Sequence, residues 1–199
     1  MLSRLHPTLL VFILVVGFTA TNPNGTLVAQ PDPFSELEVK LGVSKNLSTD
    51  RLLESWNSGA SAVLEASTPF YAGWTHFGFQ FEPFTGRTED LPSYWSLHAR
   101  LGWQYRWHAD KGINYDSGLR FGLVYMAFDT EDLAGVRNES ELVYSLFQNV
   151  QVPLSNTLRI YLEGTYSRIM TRTRMNLFYV STGLIVQLDM PAWLRSVLE

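Results

Sequence analysis

The stretch Trp95-Ser96-Leu97-His98-Ala99-Arg100-Leu101-Gly102-Trp103-Gln104-Tyr105-Arg106-Trp107 decides the fold. Every odd position is apolar, and every even position is polar, charged or glycine. A period of two is that of a β-strand, whose successive side chains point to opposite faces. One face carries Trp, Leu and Tyr, and the other carries His, Arg and Gln. Such a strand belongs in a sheet whose two sides meet unlike surroundings.

The same alternation recurs on both sides of this stretch. Before it, Gly73–Glu82 sets Phe77, Phe79 and Phe81 against His76, Gly78, Gln80 and Glu82. Gly59–Ser67 sets Ala60, Ala62, Leu64 and Ala66 against Ser61 and Glu65, with Val63 out of pattern, and a tight turn through Thr68-Pro69 joins the two. Glu36–Ser44 sets Leu37, Val39, Leu41 and Val43 against Glu36, Glu38, Lys40 and Gly42. After it, Tyr115–Phe128 sets Leu119, Phe121, Leu123 and Tyr125 against Gly118, Arg120 and Gly122. Ser140–Val152 carries Leu142, Tyr144, Leu146, Val150 and Val152 on one face, Thr157–Arg168 sets Leu158, Ile160, Leu162 and Tyr166 against Arg159, Glu163 and Thr165, and Asn176–Leu188 sets Phe178, Val180, Leu184, Val186 and Leu188 against Ser181, Gly183 and Gln187. The pattern predicts an all-β chain of eight antiparallel strands in up-and-down order. Strands of roughly nine to thirteen residues are long enough to cross a bilayer at a tilt.

The connections carry a second rhythm. Lys45–Ser58, Pro83–Pro92 and Asp129–Asn138 are long, Thr68-Pro69 and Pro153–Asn156 are short, the connection around Asp110-Lys111-Gly112 is intermediate, and the basic one holding Arg172 and Arg174 is shorter than the rhythm requires. Transmembrane barrels have short turns at one end and long loops at the other. An even strand number returns both ends of the barrel to one side.

Alternation does not say which face points inward. A soluble lipocalin-like barrel, packing its apolar residues inside, is the competing reading. Three features favour lipid outside. The polar faces combine glycine with charges of both signs, as a narrow filled tube requires. Aromatic residues gather near strand ends: Tyr71 and Trp74, Trp95, and Trp103, Tyr105 and Trp107, matching two interfacial belts. An arginine turned to lipid at the midplane costs about 2–4 kcal/mol, and this register turns Arg100, Arg120 and Arg159 inward.

The 199 residues suit one domain, and a net charge of -4 offers no basic surface to nucleic acid. Without cysteine the chain has no thiol chemistry and no disulfides. Arg4 and His6 precede the apolar run Leu9–Phe18, the arrangement of an export signal, with cleavage after Ala20 or Ala29. The expected division is a signal peptide at 1–29, a barrel at 30–188 and a short periplasmic tail at 189–199.

The last strand ends Ser181-Thr182-Gly183-Leu184-Ile185-Val186-Gln187-Leu188. Ser181, Gly183, Val186 and Leu188 match the closing-strand signal of bacterial outer-membrane proteins. Residues 35–188 resemble the small eight-stranded outer-membrane barrels of the OmpA-domain and OmpX type, through pattern rather than diagnostic residues. The resemblance implies the outer membrane of a Gram-negative-type bacterium, contact with outer-membrane lipid and lipopolysaccharide, and barrel-assembly machinery that reads the closing strand. It also implies an envelope-structural or surface-interaction role, no cofactor and no catalysis. This sequence departs from the pattern after Leu188, where the tail Asp189–Glu199, with Pro191, Trp193 and Leu194, replaces a terminal aromatic.

Candidate site residues fall into two groups. Glu65, His76, His98, Arg100, Arg106, Asp116, Arg120, Arg159 and Glu163 are expected to form a polar network in the lumen, since a buried charge needs a partner. Within it, Glu65 and His76 are expected roughly opposite one another, Arg106 opposite Asp116, and Arg159 within reach of Glu163 or a neighbour. The alternative joins Glu65, His76 or His98 with Ser96 in a hydrolytic triad of a lipid A-modifying enzyme. Arg168, Arg172 and Arg174 are expected at the outer surface, where guanidinium binds lipopolysaccharide phosphate. The acidic loop residues Glu89, Asp90, Asp129, Glu131 and Asp132 read as solvated, and no metal-binding motif occurs.

Overall fold

The computed structural model describes residues 32–48, 52–109, 112–129, 138–171 and 175–198. The proposed signal segment, Arg172 and Arg174, and Glu131 and Asp132 lie outside these residues. The elements in chain order are β1 (Glu36–Asn46), α1 (Leu52–Ser55), β2 (Trp56–Ser58), β3 (Ala60–Phe70), β4 (Gly73–Gly86), β5 (Tyr94–His108), β6 (Asn114–Phe128), β7 (Glu139–Pro153), β8 (Leu158–Ile169), β9 (Met175–Asp189) and α2 (Ala192–Leu198).

Every neighbouring pair is antiparallel. β1 pairs with β3, β3 with β4, and each later strand with the next. β9 returns to β1 from Glu36↔Asp189 to Asn46↔Tyr179. The sheet therefore closes on itself as eight long strands. The short β2 extends the wall above β3 by pairing with the far end of β4. Closure gives each of the eight long strands a partner on both sides, the condition for a sheet in hydrocarbon, where a bare N–H or C=O costs several kcal/mol.

The two faces are unlike, as the alternation predicts. Leu101 is 60% exposed and Phe121 61%, whereas Arg100 is 5% and Arg120 1% exposed. Leu41, Phe77, Leu123, Leu142, Leu162 and Leu184 continue the outward apolar face around the wall. This places apolar residues outside and charge inside, which excludes the lipocalin-like arrangement and is the pattern of a transmembrane barrel.

Three local expectations are corrected. The turn after β3 lies at Tyr71-Ala72, with Tyr71 at φ 47°, and not through Thr68-Pro69. Pro69 stays in register opposite Trp74, and its carbonyl accepts from the Phe34 amide at 3.0 Å. β4 likewise runs past Pro83 to Gly86, because proline at a strand position still offers its carbonyl, here to the Gly59 amide at 2.8 Å. Third, Trp74 is 3% exposed and points into the lumen, so it belongs to no interfacial belt.

Replacing the lipid-facing Phe121 at the centre of β6 by arginine (Phe121→Arg) should lower stability by about 2–4 kcal/mol. Urea titration of the protein folded in vesicles measures this. A change below about 1 kcal/mol would contradict the outward, lipid-solvated placement of this residue.

Candidate functional site: the charged lumen and its apolar cap

The inward positions form three levels. The lowest lies near the Tyr71-Ala72 turn. There Arg106 donates through Nη1 and Nη2 to both Glu38 oxygens, at 2.8 and 2.7 Å, and through Nε to Asp116 Oδ1 at 2.8 Å. Arg106 and Asp116 are register partners on β5 and β6, as expected. The Trp74 ring lies against the same guanidinium, 3.9 Å from its carbon, so cation–π attraction replaces water on that face. Gln104 and Gln151 both donate to Asp116 Oδ2. Arg159 donates to Glu38 at 2.5 Å and to Gln187 Oε1 at 2.9 Å. Its partner is thus Glu38 and not Glu163.

The middle level is a square of two cations and two carboxylates. Lys40 Nζ donates to Glu65 Oε1 at 2.8 Å and to Glu163 Oε2 at 2.9 Å. Arg120 bridges the same pair, reaching Glu163 at 2.7 and 2.9 Å and Glu65 Oε2 at 2.9 Å. The Phe147 ring stacks under Arg120 at 3.7 Å. All four charged groups are buried. Fork-shaped guanidinium meeting planar carboxylate is the geometry that offsets most of the desolvation cost. Glycine makes room for these long chains. A Cβ on Gly42 would lie 2.1 Å from the Tyr161 hydroxyl, and one on Gly102 would lie 2.2 Å from His76 Nε2.

Glu65 and His76 both point inward, but two residues out of the expected step. Glu65 faces Gly78, and His76 faces Ser67. The Arg120 Nε donates to His76 Nε2 at 3.2 Å, which occupies the nitrogen a triad would need. His98 instead meets Ser96, Nε2 to Oγ at 3.3 Å, with Glu65 committed to the cations below. Arg100, two residues along β5, donates to Gln80 Oε1 at 2.7 Å. The Ser-His-Glu grouping of a hydrolase is therefore not assembled from these residues. Among the described residues no cluster of three His, Asp or Glu is arranged to hold a metal.

The third level changes character. Phe84, Tyr94, Val124, Met126, Val143, Ile169, Leu177 and Tyr179 pack together inside the mouth opposite the short turns. Tyr94 stacks on Phe84 with centroids 4.5 Å apart, and Trp56 meets Tyr94 edge-on at 5.7 Å. The Trp56 indole also donates to the Pro92 carbonyl at 2.9 Å, tying the first long connection to the second. Beneath this cap Tyr179 donates to Glu82 Oε2 at 2.8 Å. Strict alternation did not anticipate the cap. Its signal was the loss of alternation: Leu123-Val124-Tyr125-Met126, Leu142-Val143 and Leu177-Phe178-Tyr179-Val180 are apolar on both faces.

Arg168 lies on the outward face near the capped rim, where its Nη1 meets the Tyr144 hydroxyl at 3.4 Å. Of the closing-strand residues, Ser181 faces inward and donates to Ser44 Oγ at 2.9 Å, Gly183 sits opposite Gly42, and Val186 and Leu188 pair with Val39 and Leu37 on the outward face.

Removing one corner of the central square should be costly, because it strands a carboxylate. Arg120→Leu leaves Glu65 and Glu163 sharing Lys40 alone, and unfolding stability should fall by about 3–5 kcal/mol. Denaturant titration in detergent micelles reads this out. A loss no larger than an ordinary surface substitution would show that the network does not hold the lumen.

No family model matches this sequence, and no curated protein matches it. Solved structures do resemble its fold. Neisserial surface protein A superimposes with a TM-score of 0.52 at 10% identity, over 78% of this chain and 97% of that one. Ail, the attachment invasion locus protein of Yersinia pestis, gives 0.50 at 10% identity, over 77% and 99%. The N-terminal β-barrel domain of Pseudomonas aeruginosa OprF gives 0.50 at 4% identity, over 79% and 100%. At such low identity the likeness is one of architecture: the chain has the fold of the small eight-stranded outer-membrane barrels.

Proposed function

We propose that this chain is an integral outer-membrane protein of a Gram-negative-type bacterium, non-enzymatic, with an envelope-structural or surface-interaction role. The observation that carries this reading is the filled lumen. Among the described residues, ion pairs occupy its lower and middle levels and apolar side chains its outer mouth, an arrangement that supports neither a water-filled channel nor an open ligand cavity. What remains to meet other molecules is the outer wall, its rims and the connections. Export through a signal at 1–29, with a barrel at 30–188 and a periplasmic tail at 189–199, fits the same reading. It would place the long connections and the capped mouth at the cell surface.

The lipid A-modifying alternative needs reactive groups at the outer rim. The candidates Ser96 and His98 stand level with the cap residues Met126 and Val124 and are buried from the outer surface. Mass analysis of lipid A from cells with and without the gene is expected to give identical profiles. Loss of any modified species on deletion would restore the enzyme reading.

On this reading the outward face near the capped rim meets lipopolysaccharide. Arg168 stands there beside Tyr144, and Arg172 and Arg174 follow it in sequence. Lipid A phosphates are suited to bidentate guanidinium contacts. Ail, a structural neighbour, has been crystallised with the heparin analogue sucrose octasulfate, so a barrel of this architecture can present an anion-binding surface. During biogenesis, Ser181, Gly183, Val186 and Leu188 on the strand that closes the barrel are the segment we assign to recognition by barrel-assembly machinery. Replacing Arg168, Arg172 and Arg174 together by alanine should weaken lipopolysaccharide binding by at least about tenfold, since one hydrogen bond to a charged group is worth about 1.5–3 kcal/mol. Binding of labelled lipopolysaccharide to the protein in nanodiscs tests this, and an unchanged affinity would remove the arginines from the contact.

A further inference from the structure

The segment beyond β9 turns at Met190-Pro191 and forms α2, the seven-residue helix Ala192–Leu198. No residue of α2 is buried, yet it is largely apolar. Trp193 is 69% exposed, Val197 75% and Leu198 42%. Trp193 and Val197 are four apart, as are Leu194 and Leu198, so the four share one stripe of the helix. Ala192, Arg195 and Ser196 take the other side.

On one side, Arg195 and Leu198 of the helix border an open cleft lined also by Asp32, Pro33, Phe34, Phe70 and Tyr71. Phe70 shares the outward register of β3 with Leu64 and Ala66, and its ring contacts Phe34 at 5.4 Å and Tyr71 at 4.6 Å. The cleft therefore opens on the outer side of the barrel's lower rim rather than under the lumen. Tyr71, 74% exposed, and Leu154, 59% exposed, stand at this same rim, and Trp107 turns outward close to it. Leu198, at one end of the exposed stripe of α2, thus borders the lower rim of the apolar wall at Phe70.

We propose that α2 is an interfacial helix, laid on the periplasmic leaflet with Trp193 and Val197 inserted at the headgroup boundary. This rests on the outer-membrane reading above. The occupant of the apolar stripe is lipid, because the stripe borders a surface that lipid already covers. Short helices with an aromatic–aliphatic face and a polar back take this position, where a Trp ring is half solvated. Lipid contact would anchor the rim beside the β1–β9 seam, since α2 follows β9 directly and β1 is its partner.

The absence of native cysteine makes the test direct. Single spin labels are placed by Val197→Cys, Ser196→Cys and Leu123→Cys in the full chain, folded into phosphatidylethanolamine–phosphatidylglycerol vesicles. Collision with oxygen reports lipid, and collision with a water-soluble nickel chelate reports solvent. Labels at 123 and 197 should favour oxygen, and the label at 196 should favour the chelate. If position 123 favours oxygen while 197 and 196 respond alike to the chelate, the barrel spans the membrane but α2 does not rest on it. If position 197 is shielded from both probes, protein covers the stripe, and the proposal is overturned. If position 123 itself favours the chelate, the membrane reading fails, and the placement of α2 fails with it.

Discussion

A guanidinium or carboxylate inside a narrow tube with lipid outside has no bulk water to hydrate it, so its neighbours must replace that hydration. This requirement organises the whole interior. Lys40 and Arg120 each bridge Glu65 and Glu163, and Arg106 holds Glu38 and Asp116 together. The contributing residues come from strands far apart in sequence, such as β1, β3, β6 and β8. Each bond across the lumen is therefore also a statement of strand order. Aromatic faces from Trp74 and Phe147 cover the guanidinium planes that carboxylates do not reach.

The same constraint explains why the interior changes chemistry along its axis. Ion pairs dominate where the lumen is ringed by charged strands, and hydrocarbon dominates at the far mouth. Between them Arg100–Gln80 and Tyr179–Glu82 bond across intermediate ground. The apolar cluster needs no partners of its own, and dispersion and desolvation suffice. It also connects the wall to the long connections, through Leu53 and Trp56. Closing the mouth with carbon rather than charge keeps the polar levels away from exterior solvent.

Alternation made the staves legible, because a period of two survives any register and any loop. It puts Arg100, Arg120 and Glu163 on the inward face, and the opposed positions of Arg106 and Asp116 about the connection between β5 and β6 point to their pairing. Where the pattern was silent, geometry decided. Proline suggested strand ends at positions 69 and 83, but a strand residue that uses only its carbonyl tolerates proline, and both strands continue through it. Moving that turn by a few residues moved His76 away from Glu65. Arg159 found Glu38 rather than Glu163 because β1 and β8 flank β9, a neighbourhood that only closure creates. Trp74 was placed by its residue type, whereas its parity with His76 already put it inside.

The seam between β1 and β9 has a bearing on how the molecule comes into being. Its two strands are the first and last to be synthesised, and their pairing is the most sequence-distant in the sheet. Until it forms, two long rows of peptide groups stay unsatisfied, and Lys40 and Glu38 lack the partners that β5 and β8 bring round. A partly assembled cylinder gains little by entering hydrocarbon, so insertion and closure are coupled into one cooperative event. A chain lacking its final stave would remain an open ribbon with two bare edges and unpaired charges along its inner face.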